Sequence, residues 1–287
     1  MRLLLGLLWL LRLLPYPLLS AVGRGLGTLL HWVGRRRRHI ALTNLRLCFP
    51  DWSEAERARV VRAHFQFFAR TLLDRSILWW SRPERIRALI RVEGMERFKA
   101  LAGKPVILFM PHFVGMDAAV ARLTMEAKLA GMYARQKNSA FDEALLKGRT
   151  RFGEQIALSR QAGTLKVVRT IRDNVPFIYL PDMDYGPRDS IFVPFFGVPA
   201  ATITGLPRLV QLTGAQVLPC VTRLLPDDGG YCVEIGEPWT DFPGPSQEGD
   251  ARRMNAFIEA AVLTMPEQYY WLHKRFKTRP EGVPGVY

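Results

Sequence analysis

Cysteine is nearly absent: Cys48, Cys220 and Cys232 are the only 3 in 287 residues, and they stand far apart. An odd, scattered set without CxxC or Cys/His spacing supports neither a disulfide framework nor a zinc site. It fits a domain facing a reducing compartment. Acidic residues are few beside basic ones, 26 Asp and Glu against 40 Lys and Arg, a net charge of +14. That balance asks for an anionic partner: nucleic acid, an anionic membrane surface, or acidic substrates. There is no internal repeat, no low-complexity linker and no nucleic-acid-binding motif; Pro243-Gly244-Pro245-Ser246 reads as a loop. A hydrophobic content of 48% excludes disorder and suffices for one large domain, or one domain plus an anchor.

The chain also lacks an uninterrupted apolar run of spanning length. Leu3 to Val33 is Leu-rich, but Arg12, Arg24, Pro15 and Pro17 break it, and it ends in Gly34-Arg35-Arg36-Arg37-Arg38-His39. No small-residue cleavage site follows the early apolar residues, which argues against a cleaved signal peptide. A helix spanning Leu13 to Val33 would place Arg24 near mid-bilayer, at a cost of about 2.5–3.5 kcal/mol. An amphipathic or partly inserted helix avoids this, its arginines reaching to the headgroups. We therefore expect residues 1–38 to be a membrane anchor with a basic run, and residues 39–287 to be the catalytic domain. The arginine run directly after an apolar segment matches anionic lipid headgroups better than nucleic acid, and it places the bulk of the chain on the cytoplasmic side. The competing reading is a buried core helix followed by a solvated basic run.

Ser53-Glu54-Ala55-Glu56 is a capping box, and Val60, Val61, Phe65, Phe68, Leu72 and Leu73 continue it at helical spacing towards Trp80. Pro83 suits the start of another helix, and Gly103 the end of its successor. Strand-like runs occupy Pro105 to Met110, Gly131 to Tyr133, Val175 to Leu180, Ile191 to Phe196, Gln216 to Leu224 and Gly230 to Ile235. Helical patterns lie at Phe141 to Phe152, Leu165 to Arg172, Thr202 to Leu212 and Arg252 to Leu263. The alternation predicts an α/β fold, a mixed central sheet flanked by helices, with the N-terminal membrane-anchoring helix attached.

Pro111-His112-Phe113-Val114-Gly115-Met116-Asp117 follows the first of these strands. His112 would sit at the strand's end and Asp117 in the first turn of the next helix. An imidazole held by a carboxylate can take a proton from a hydroxyl, which can then attack a carbonyl. An Asp in a first turn also stabilises the helix dipole with no chemistry implied. Arg135, Asn138, Arg149, Arg151 and Arg188 offer further polar groups, and arginine forks bind phosphate or carboxylate; each alone also reads as a solvated surface residue. Asp182 and Asp184 end another apolar run, where they could bind a metal or hold the arginines; the second is preferred, since no third ligand presents itself. No metal and no cofactor is expected. His273 lies in an aromatic and basic stretch that suits either the lipid interface or core packing.

His112 and Asp117 resemble the HxxxxD motif of the glycerolipid acyltransferases, and the chain as a whole resembles the late acyltransferases of bacterial lipid A biosynthesis. The likeness is carried by PDMDYGPRDSIFVPFFG, from Pro181 to Gly197, and by MPEQYYWLH followed by KRFKTRPEGVP, from Met265. It implies a glycerolipid acyltransferase-like fold and an inner-membrane enzyme facing the cytoplasm. Its donor would be an acyl carrier protein thioester, its acceptor a hydroxyl of the Kdo-bearing lipid A precursor, and its chain lauroyl. It further implies His112 as general base and Asp117 as its orienting partner, and it places Arg149 and Asp182, with Arg135 and Asn138, in further family motifs. An acidic carrier and a phosphorylated acceptor both suit the basic charge. The alternatives are a related transferase acting on a lysophospholipid or another glycolipid, and a basic membrane-anchored binding protein in which His112 is only structural.

Overall fold

The computed structural model describes residues 1–159 and 163–287. Helices α1 (Arg2–Leu11), α2 (Tyr16–Val33), α3 (Arg35–Cys48) and α4 (Glu54–Trp80) open the chain, followed by α5 (Pro83–Leu89), β1 (Ile90–Glu93) and α6 (Met95–Ala100). Then β2 (Val106–Phe109), α7 (Met116–Leu123), β3 (Ala130–Tyr133), α8 (Ser139–Arg149), β4 (Ile156–Ser159), α9 (Gly163–Arg172) and β5 (Phe177–Tyr179) alternate. Hairpin strands β6 (Ser190–Phe195) and β7 (Val198–Ile203) lead to α10 (Gly205–Thr213), β8 (Gln216–Leu224), β9 (Tyr231–Ile235) and α11 (Gln247–Thr264).

The expected mixed sheet is present. Its order is β1-β9-β8-β2-β5-β3-β4, parallel throughout except for the antiparallel pair β8–β9. All of β2 is buried because helices cover both faces. Ile107 and Phe109 join the core built with α9, α10 and α11, while Val106 and Leu108 join the one built with α5, α6, α7 and α8. The Ser53 capping box starts α4 as expected, with the Glu56 carboxylate accepting from the Ser53 N–H at 2.7 Å. Three strands escaped the sequence reading: β1 and β4 are 4-residue sheet edges, and β7 carries Pro199 as its second residue, just after a tight hairpin.

The N-terminal segment is not one helix. Pro15 adopts an extended ψ of 142° at the start of α2, with Pro17 inside the first turn, so the helix breaks after α1. No helix among the described residues is long and apolar enough to cross a membrane. Instead α2 lies against α4: a Cβ on Gly27 would stand 2.4 Å from the Gln66 Cα, and one on Gly23 2.8 Å from the Arg70 Cα. Only glycine permits backbones this close. Arg24 is drawn inward, donating to Asp228 at 2.8 Å, where Ser20 and Arg70 converge at 2.5 and 3.2 Å. Beside them the buried Asp74 accepts from the Tyr231 hydroxyl and, at 3.4 Å, from that of Tyr16. Burial pushes the Asp74 carboxyl up to about 6 despite these bonds.

The opposite side of α2 exposes Leu18, Val22, Leu29, Trp32 and Val33. The basic run after it is helical, so a boundary after Arg38 falls inside α3. Ile40, Ala41, Asn44, Leu45 and Cys48 form the buried stripe that makes this helix. Arg38 donates to the His31 carbonyl and, at 3.2 Å, to that of Trp32, satisfying the last turn of α2. All three cysteines are free and buried.

Candidate active site

β2 and β5 are neighbouring parallel strands with Phe109 in register with Tyr179. Each leaves the sheet through an apolar residue and a proline: Met110-Pro111-His112 in one case, Leu180-Pro181-Asp182 in the other. Equal offsets from one register pair bring His112 and Asp182 together at the carboxyl edge of the sheet, where α/β folds place their ligands. The imidazole Nδ1 and the Asp182 Oδ1 are 2.6 Å apart, and the His112 backbone N–H donates to Oδ2 at 2.9 Å. One buried carboxylate therefore grips both ring and backbone, and an Nδ1–H donated to it leaves the Nε2 lone pair free to accept a proton. Burial by itself would raise the Asp182 carboxyl; the His112 ring and N–H outweigh it and hold the group below the usual carboxylate range.

This corrects the pairing expected from the HxxxxD spacing. Asp117 does start α7, but there its carboxylate faces α4 and α8. Oδ2 accepts from Arg75 Nε and Nη2 at 3.0 and 2.8 Å, and Oδ1 accepts from Arg149 Nε and Nη2 at 3.2 and 2.7 Å. Burial again favours the neutral acid, but Arg149 and Arg75 drive the group well below the ordinary range. Two guanidiniums around one carboxylate leave a net positive charge at this corner.

The remaining expected residues do not gather there. Arg135 is exposed with its Nε 3.9 Å from Asp142, and Arg188 is exposed with its Nε 3.7 Å from Asp189. Asn138 caps α8 by accepting from the Phe141 N–H at 3.1 Å. Arg151 donates to the Leu78 and Ser81 carbonyls at 3.0 and 2.7 Å, closing the end of α4. Asp184 holds backbone rather than arginine, accepting from the Gly186 N–H at 2.9 Å and the Thr278 N–H at 2.6 Å.

Arg75 had no local signal in the sequence, since mid-helix arginines are ordinary. The stretch around His273 packs inward: Trp271, Leu272, Arg275 and Phe276 are buried, and His273 Nε2 accepts the Asp184 N–H at 2.8 Å. Burial lowers this imidazole to about 4, so it is neutral near pH 7. His112 and Asp182, in contrast, each follow an apolar run closed by a proline, a signal that sets each at a strand's end without setting them side by side.

Between α7, α8 and strands β3 and β4 lies an apolar pocket open to solvent, lined among others by Val120, Leu129, Leu146, Ile156 and Ile178. Met116 and Leu180 also line it, as does Arg149, so it adjoins the loops that carry His112 and Asp182. The arrangement offers a proton acceptor, a cationic corner and an apolar slot. Among the described residues one further group brings potential metal donors together, Glu93, Cys232 and Glu234 on the β1–β9 edge, where Arg91 and Arg223 already pair with the two carboxylates.

Residues 1–278 match the family described as "Bacterial lipid A biosynthesis acyltransferase". The lipid A biosynthesis lauroyltransferase of Escherichia coli (strain K12) is 37% identical over 98% of this chain and 92% of its own length. The palmitoleoyltransferase of the same organism is 30% identical, covering 99% and 92%, and its myristoyltransferase 32%, covering 93% and 82%.

Proposed function

The chain belongs to the bacterial lipid A biosynthesis acyltransferases, and from that premise we propose that it moves a fatty acyl chain from an acyl carrier protein thioester to a hydroxyl of the Kdo-bearing lipid A precursor. His112 gripped by Asp182 is the observation that carries the reading, and an apolar slot whose lining includes Met116 and Leu180, from the segments that follow His112 and precede Asp182, supports it. In this mechanism the acceptor hydroxyl gives its proton to His112 Nε2 as its oxygen attacks the thioester carbonyl. The C–S bond then breaks, and the proton on Nε2 passes to the departing sulfur. A thiol is a good leaving group, so direct transfer needs no acyl-enzyme. Asp182 holds the ring in the productive tautomer and stabilises the imidazolium that forms.

The cavity suits the acyl chain, since each buried methylene contributes about 0.8 kcal/mol. Relatives named for lauroyl, myristoyl and palmitoleoyl transfer differ in this chain; lauroyl is the first donor to test. Arg149 and Arg75, keeping net positive charge around Asp117, suit an anionic group of the acceptor. The exposed apolar side of α2, followed by four arginines, suits an interfacial anchor at the cytoplasmic face of the inner membrane rather than a span.

The test is an acceptor panel with lauroyl-, myristoyl- and palmitoleoyl-carrier protein and mass spectrometry of the products. Acylation of the Kdo-bearing precursor, lost in His112→Ala, is the expected result. Transfer only to lysophospholipid would replace the acceptor, and donor binding without turnover would make the chain a binding protein.

A further inference from the structure

The pair His112–Asp182 is held from a side that neither strand supplies. The segment Gln268 to Thr278 runs along both limbs of it. On the His112 limb, the Tyr270 N–H donates to the His112 carbonyl and the Val114 N–H donates to the Gln268 carbonyl, each at 2.9 Å. On the other limb, His273 Nε2 takes the Asp184 N–H at 2.8 Å, and Thr278 donates to the Asp184 carboxylate from its N–H and Oγ1 at 2.6 and 2.7 Å. Asp184 stands two residues beyond Asp182, so the segment spaces the two loops.

What holds the segment is α3. Asn44, with 0% of its surface exposed, donates both Nδ2 hydrogens, one to the Trp271 carbonyl and one to the His273 carbonyl, each at 2.8 Å. Its Oδ1 accepts from the Tyr287 hydroxyl. The intervening Leu272 carbonyl accepts from Arg37 Nη1 at 2.9 Å. Successive carbonyls of an irregular segment are thus bound by one helix, and every polar atom of the Asn44 side chain is used.

We propose that Asn44 is a positioning residue for the His112–Asp182 pair, acting through the Gln268 to Thr278 segment. This rests on the reading of that pair as the working base of the acyl transfer. No other side chain bridges the Trp271 and His273 carbonyls among the hydrogen bonds of the described residues, and loosening them releases the backbone that pins His112. A displacement of about 1 Å in a catalytic group costs on the order of 100-fold in rate.

The experiment compares full-length wild type, Asn44→Ala and Tyr287→Phe, with lauroyl-carrier protein and the Kdo-bearing precursor as substrates. Asn44→Ala is expected to lower kcat by about 10- to 100-fold while KM for both substrates stays within about threefold, since substrate contacts are untouched. The second readout needs no substrate: the downfield proton resonance of His112 Nδ1–H, assigned by its loss in His112→Ala, is expected to weaken or move in Asn44→Ala. A kcat within about twofold of wild type, or an unchanged resonance, overturns the proposal. Should Asn44→Ala not fold, Tyr287→Phe decides. It frees only one side of Asn44, so a severalfold fall in kcat at constant KM supports the role, and an unchanged kcat refutes it. A wild type inactive on these substrates, with the resonance still weakened or moved in Asn44→Ala, would count against the assigned reaction, not against the role of Asn44.

Discussion

Replacing Asp182 by Asn separates the charge of this carboxylate from its shape. Asp182 uses both oxygens as acceptors, Oδ1 at 2.6 Å from His112 Nδ1 and Oδ2 at 2.9 Å from the His112 N. An amide has one acceptor and one donor, so either orientation fails. If its oxygen keeps the backbone N–H, its NH2 faces Nδ1 and selects the tautomer with the proton on Nε2, which then cannot act as base. If its oxygen keeps the ring, its NH2 meets a backbone N–H. Loss of general-base assistance costs about 10²–10⁴ in rate, which is about 2.7–5.4 kcal/mol in the barrier. We expect kcat of Asp182→Asn to fall by at least about 100-fold, with KM for donor and acceptor changed only a few-fold. The assay is product formation by mass spectrometry on protein shown by circular dichroism to be folded. A variant within about fivefold of wild type, alongside an Asp117→Asn variant at least 100-fold down, would refute the reasoning and return Asp117 to the place beside the base.

Gly131 of β3 lines the cavity, and a Cβ there would meet only Ile178 at an ordinary 3.6 Å. Gly131→Val should therefore fold normally and shift donor preference towards shorter chains by about 10- to 100-fold in relative kcat/KM; unaltered chain preference would remove the cavity from acyl binding. On α2, Leu18→Ser with Val22→Ser should weaken sedimentation with anionic vesicles by at least about tenfold, each residue forfeiting roughly 1.5–3 kcal/mol of burial, at constant Tm. Gly27→Val should instead lower Tm, because its Cβ would meet the α4 backbone; the reverse pattern would exchange the two faces. Asp74 has a raised folded value of about 6, so its contribution to stability is present below its unfolded value near 4 and is lost as pH rises through about 6. The Tm advantage of wild type over Asp74→Asn should accordingly shrink by a few degrees between pH 4.5 and 7.5, and an advantage that grows with pH would contradict the assignment.

Several elements are local in origin and could be read from the chain. The Ser53 box and the apolar spacing after it specify α4, and continuous apolar runs specify β2 and β8. His112 at a strand's end was legible for the same reason. The family likeness added what long shared strings can add: the reaction class, supported by relatives that span nearly the whole chain. Short edge strands such as β1 and β4 were not legible, since 4 residues carry too little alternation to distinguish them from loop.

The partner of His112 was decided by tertiary structure alone. Asp117 is five residues away in sequence, but the first turn of α7 points it at Arg75 and Arg149. Asp182 is 70 residues away, and the adjacency of β2 and β5 makes it the neighbour. The same holds for α2, whose periodicity shows an apolar helix but not which side meets α4; Gly23 and Gly27 settle that by allowing contact that any side chain would prevent. Sequence by itself determined the longer elements, the charge and the chemistry available, because the formation of a long helix or a buried strand depends on neighbours a few residues apart. Which side chains meet was left to sheet order and helix docking, because those depend on backbone contacts between segments that the chain brings together only when it closes.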